Sequence, residues 1–65
     1  MLSIDKQVNL TCIETDKMAS GKIVRIHGNR IDVALDQGGL LISLHMKKPG
    51  LYVGRQSGLE FVMRS

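Results

Sequence analysis

The chain holds one cysteine, one proline, no tryptophan and only two residues with large aromatic rings, Tyr52 and Phe61. A lone Cys12 excludes an internal disulfide and makes a multi-ligand zinc site improbable on its face. Long apolar runs are missing as well. The longest uncharged stretch, Gln37 to Met46, is far below the roughly 20 residues of a membrane-spanning helix. Met1 to Val8 has no apolar signal core, so a cytoplasmic protein with no membrane partner is expected. The sequence carries no Gly-rich phosphate loop, no nucleophile elbow and no paired ligand spacing. The expectation is therefore a protein that is not an enzyme and uses neither metal nor cofactor.

What remains is short and mildly basic. Residues 1–65 make one small domain, and a chain of this size buries only about 60% of its unfolded surface when it folds alone. Without disulfide or metal, self-association is the remaining staple for a marginal core. Hydrophobic residues make up 43% and charged residues 23%, the balance of a folded globular domain. Nine Lys and Arg against six Asp and Glu give a net charge of +3, which suits a nucleic acid partner.

Seven glycines among short Val, Ile and Leu runs disfavour helices and point to an all-β chain. Val8, Leu10 and Cys12 alternate with Asn9 and Thr11, predicting a strand with one buried face. A loop is expected over Glu14 to Ser20, then a bent, mostly covered strand over Lys22 to His27. Gly28 and Asn29 predict a tight reversal from His27 to Arg30. In the next strand Ile31, Val33 and Leu35 face inward while Arg30, Asp32, Ala34 and Asp36 face solvent. Gln37-Gly38-Gly39 is either a second hairpin turn or a bulge bending one long strand that resumes as Leu40 to Met46. Lys47-Lys48-Pro49-Gly50 reads as a basic turn, Leu51-Tyr52-Val53 as a short strand, Gly54 to Gly58 as a loop, and Leu59 to Arg64 as the last strand. Met1 to Gln7 has room for one helical turn capped by Ser3 or Asp5. Five or six such strands bury both faces by closing into a small, strongly bent antiparallel barrel.

Two constellations carry possible chemistry. His27, Asn29 and Arg30 share one corner, where an imidazole, an amide and a guanidinium can meet phosphate or base edges; the plainer reading is that Gly28-Asn29 serves only the turn. Lys47, Lys48, Arg55 and Gln56 surround Tyr52, the mixture of cations and an aromatic ring that single strands favour; the plainer reading is a solvated basic loop with Tyr52 packed in the core. Cys12, in phase with Leu10, reads as a small buried hydrophobe. His27 and His45, on separate strands without a carboxylate partner, read as solvated residues rather than as metal ligands or acid–base groups.

The pattern resembles the Sm and LSm family, Hfq-like proteins included, whose members are short bent five-stranded SH3-like barrels. The resemblance rests on Val8-x-Leu10 followed by Gly21-Lys22-Ile23, and on Arg55-Gln56-Ser57-Gly58-Leu59-Glu60-Phe61 with Arg55 in the family's arginine position. It departs from the family at Ile31-Asp32, where an Asn is usual, and at Gln56, where the motif has glycine. It implies a long third strand from Arg30 to Met46, and a homo-oligomeric ring that binds RNA or single-stranded DNA. In that ring the Leu51, Tyr52, Val53 edge of one copy would pair with the Leu59, Phe61, Met63 edge of the next. His27, Asn29, Arg30, Lys47, Lys48, Tyr52, Arg55 and Gln56 would face the nucleic acid. Two other readings stay open: a protein-interaction module that docks a partner through an exposed strand edge, and a PilZ-type barrel binding a cyclic dinucleotide. Gly58-Leu59-Glu60-Phe61 is similar to the closing strand of PilZ domains, although their Arg-x-x-x-Arg arm is absent.

Overall fold

A computed structural model describes residues 2–64; Met1 and Ser65 lie outside the described residues. The strands are β1 (Gln7–Cys12), β2 (Lys17–His27), β3 (Arg30–Leu35), β4 (Leu41–Lys48), β5 (Leu51–Gln56) and β6 (Leu59–Arg64). They form a closed antiparallel barrel in sequence order. The all-β expectation and its six-stranded variant are met.

Alternation explains the core. Leu10 and Cys12 of β1, Ile23 of β2, Ile31 and Val33 of β3, Ile42 and Leu44 of β4, and Phe61 and Met63 of β6 are all buried in one cluster. On β1, β3, β4 and β6 the two members sit two residues apart, so a pleated backbone directs them to one side, and Ile23 joins them from β2. Cys12 is a free, buried thiol.

Several boundaries differ from the sequence reading, each for a local reason. The loop expected over Glu14 to Ser20 contracts to the turn between Cys12 and Lys17. Asp16 adopts φ +57° there, and Lys17 to Ser20 pair with Asn9 to Cys12. Polar residues are tolerated at those positions because their outer face meets water; Ser20 Oγ donates to Asn9 Oδ1 at 2.9 Å. The stretch read as a bent, covered strand does bend, at a bulge between Ile23 and Arg25, yet Val24 and Ile26 are exposed. Ile4 and Asp5 form a turn rather than a helical one, and Asp5 N–H donates to the Ile23 carbonyl.

Gln37-Gly38-Gly39 is a hairpin turn. β3 and β4 pair with each other from Arg30↔His45 to Ala34↔Leu41, so the single long strand from Arg30 to Met46 is not formed. The loop expected over Gly54 to Gly58 is also mostly strand, since β5 runs to Gln56 and Gly54 is buried against β4.

The barrel closes between its first and last strands. β1 meets β6 through Thr11↔Val62 and Cys12↔Phe61 only, with one added hydrogen bond from Ile13 N–H to the Glu60 carbonyl at 2.9 Å. β5 and β6, by contrast, are paired over their full length, from Leu51↔Arg64 to Gln56↔Leu59. The pairing of the Leu51–Val53 edge with the Leu59–Met63 edge therefore occurs within one chain, and Phe61 and Met63 are core residues.

Candidate functional site

An up-and-down order sends alternate turns to opposite ends of the barrel, and this sorts the charges. The turns after β1, β3 and β5 bring Glu14, Asp16, Asp36 and Glu60 to one end, with Lys17 and Arg55. The turns after β2 and β4 bring Arg25, His27, Arg30, Lys47 and Lys48 to the other, where β6 delivers Arg64. The two basic turns are joined: Met46 N–H donates to the Asn29 carbonyl at 2.8 Å.

The expected residues separate accordingly. His27, Asn29, Arg30, Lys47 and Lys48 gather at the basic end. Tyr52 is partly buried and packs against the core cluster, so it follows the plainer reading of that residue. Arg55 and Gln56 lie at the acidic end, because β5 carries the chain across the barrel between Leu51 and Gln56, roughly 17 Å at strand rise. There Arg55 Nη1 faces Glu60 Oε1 at 3.9 Å. The grouping of Lys47 and Lys48 with Arg55 and Gln56 is thus not formed: those residues are adjacent in sequence but divided by an extended strand.

Sequence reasoning missed the centre of the basic end. Cross-strand register aligns two rows on the outer face of β2, β3 and β4. The first is His27, Arg30, His45; the second is Arg25, Asp32, Ser43. Neighbouring strands stand about 4.8 Å apart, so the two histidines flank Arg30 at about 10 Å from each other. Asp32 is only 6% exposed, the one buried charged residue among those described. Its carboxylate accepts a hydrogen bond from Ser43 Oγ at 2.7 Å. Arg25 Nε stands 4.0 Å from Oδ2 and Arg30 Nε 3.9 Å from Oδ1.

Two guanidiniums thus share one carboxylate. In both pairs the atom facing Asp32 is Nε, and the arginine side chains remain 69% and 44% exposed. β2, β3 and β4 hold no other acidic residue, while they carry Lys17, Lys22, Arg25, Arg30, Lys47 and Lys48. The signal in the sequence was Asp32 itself, an anion in the middle of a strand rich in β-branched residues. What could not be read was the register that puts Arg25 opposite it, because the bulge at Val24 shifts the phase of β2.

Elsewhere the surface has two shallow depressions that share Met18. One, of about 430 Å³, is lined by Met18, Ala19, Leu35 and Asp36 among others; the second, of about 350 Å³, lies over the β1–β6 seam by Thr11, Ile13 and Val62. Among the described residues no three His, Cys, Asp or Glu side chains gather as a metal ion would require. No family model, no curated protein and no solved structure matches the chain.

Proposed function

We propose that this chain is a non-catalytic nucleic-acid-binding barrel that holds the phosphate backbone of RNA or single-stranded DNA at its basic end. The observation that supports this reading is the charge sorting. β2, β3 and β4 carry six Lys and Arg side chains and a single carboxylate, Asp32, and the acidic side chains of the molecule gather mostly at the far end. A polyanion approaching the basic end meets Arg25, Arg30, Lys47 and Lys48, against the carboxylates of Asp32 and of Asp5, whose N–H bonds to the Ile23 carbonyl of β2. In this reading His27 and Asn29, beside them at the same end, would contact bases or sugars.

Phosphate neutralisation has a characteristic signature. Each contact to a single strand contributes about −0.7 to the slope of log affinity against log salt, so four contacts give a slope near −3. Fluorescence anisotropy with ten-nucleotide RNA and DNA over 50–300 mM salt, roughly the range in which this effect is large, measures it. Lys47→Ala with Lys48→Ala should lower the slope by about 1.4 and leave the thermal transition in place. Binding that ignores ionic strength would remove the phosphate mechanism.

Assembly of copies forms the second part of this reading. With β5 and β6 paired inside the chain, it would use outer faces rather than strand edges. Exposed Ile13 and Met18, beside the two depressions that share Met18, are the apolar surface that supports it. Light scattering decides this part: a multiple of 7.2 kDa supports assembly, and a single 7.2 kDa particle that still binds oligonucleotide removes it while leaving the binding reading intact.

A further inference from the structure

We infer that Arg25 and Arg30 form a phosphate-binding fork, held in position by Asp32 and flanked by His27 and His45. This rests on the reading of the basic end as a nucleic-acid surface and names the group that the end grips: one phosphate, either a backbone diester or a terminal monoester.

Three observations carry it. The first is stoichiometry. A carboxylate with one arginine is a neutral pair, whereas here a single carboxylate faces two guanidiniums and also takes the Ser43 hydroxyl. One positive charge is left over at a fixed place, with no second carboxylate on the three strands. The second is orientation. Both arginines face Asp32 through Nε, and their terminal nitrogens make no hydrogen bond among the described residues. A guanidinium whose Nε is turned to a carboxylate about 4 Å away points its Nη edge away from that carboxylate, and that planar edge matches two phosphate oxygens.

The third is rigidity at the base. Asp32 is buried and bonded to the neighbouring strand β4, Arg30 precedes it by two residues on β3 itself, and Arg25 stands opposite it on β2. A flexible lysine pair on a loop would have to be ordered when the anion arrives, at a cost of about 1–2 kcal/mol of rotamer entropy per side chain. Two side chains leaning on a fixed carboxylate have part of that ordering done beforehand. Asp32 is accordingly a positioning residue, because it aims the arginines and does not itself meet the anion. Its negative charge also weakens the site, so the positioning role requires that aim outweigh attraction.

The test separates aim from charge. Inorganic phosphate is titrated into the isotopically labelled chain while backbone amide and arginine Nε shifts are followed. The largest changes are expected at Arg25, Arg30 and their neighbours, and changes confined to Lys47, Lys48 and Arg64 would overturn the fork. Arg25→Lys with Arg30→Lys keeps both charges opposite Asp32 but removes the planar edges; phosphate affinity should fall about tenfold with an unchanged thermal transition. Equal affinity in that double variant would also overturn it. Asp32→Asn adds net positive charge and loosens the aim: weaker phosphate binding despite the added charge supports the positioning role, and stronger binding rejects it.

A ten-nucleotide single strand with a 5′-phosphate, compared with the same strand ending in 5′-hydroxyl, identifies the source of the phosphate. Preference for the phosphorylated strand assigns a terminal monoester, and equal binding weakened in the double lysine variant assigns the backbone. Oligonucleotide binding that is unaffected by the lysine variant sinks the fork and leaves the broader function standing. Phosphate shifts at Arg25 and Arg30 without any oligonucleotide binding do the reverse.

Discussion

Gly54 shows how little tolerance the interior has. A β-carbon built there would collide with the Ser43 carbonyl oxygen and crowd a Leu44 methyl at 2.8 Å, and both neighbours belong to β4, Leu44 being fully buried. Gly54→Ala should destabilise the barrel by about 2 kcal/mol or more, since the backbone itself must move; urea unfolding followed by circular dichroism measures it. Ser43→Ala tests the opposite case, a lost partner rather than an added atom. It removes the hydroxyl that bonds buried Asp32 and should cost about 1–2 kcal/mol in the same assay. Little change would mean that Arg25 and Arg30 alone satisfy the carboxylate. At this scale the sequence was legible wherever a residue's role follows from its own chemistry: Leu10, Cys12, Ile31 and Val33 are buried as their alternation predicts. It was illegible where the role depends on a partner from another strand. Asp32 alternates with apolar residues and reads as solvent-facing, and only pairing with Arg25 and Ser43 makes it an anchor.

Among the elements, the turn after β1 illustrates a link that no local pattern reveals. Glu14 accepts the Glu60 N–H at 2.9 Å, and that bond, then its own backbone N–H and the nearby Arg55, hold its carboxyl below the ordinary value of 4.5. A carboxyl with a depressed folded-state value supports the fold fully above its unfolded value, and that support is lost as pH falls through the folded one. Thermal transitions recorded from pH 7 to pH 3 should therefore decline on the acid side below about 4.5, and Glu14→Gln should flatten part of that decline. Parallel curves for the two proteins would show that Glu14 does not tie the turn to β6. The same region contains the weakest join. β1 and β6 share only two residue pairs, whereas β3 and β4 share five, so amide exchange should proceed from Thr11 and Val62 well before Val33 and Ile42. Element order and type were legible because turn residues punctuate the chain: Gly28 at φ +62° makes the two-residue reversal that its sequence announces. The extent of β5 was not, because Gly54 resembles a loop former until its close approach to β4 is known. Nor was the start of β2, whose polar residues pair with β1 through an outer face.

For the molecule as a whole, small size sets the response to ligand. Domains of this length hold only about 3–5 kcal/mol in reserve, so a partner that binds the folded state should be conspicuous in a melting experiment. An oligonucleotide at 100 times its Kd adds about 2.7 kcal/mol, which in a 60–100-residue domain corresponds to a rise of roughly 10–20 °C. Scanning calorimetry with and without a ten-nucleotide strand measures that rise, and an unchanged transition at saturating strand would exclude binding to the native barrel. Self-association was expected from the size of the whole chain and the two basic clusters from residues adjacent in sequence, and neither signal tells which loops share an end. Only the up-and-down order decides it, and it places Arg55 away from Lys47 and Lys48. That order also distributes positive and negative side chains unevenly between the two ends of the barrel. On the proposed reading, a polyanion drifting past would turn the barrel before touching it, so encounters would begin with the basic end leading. Ionic strength should then act chiefly on how fast the two meet, and much less on how long they stay together.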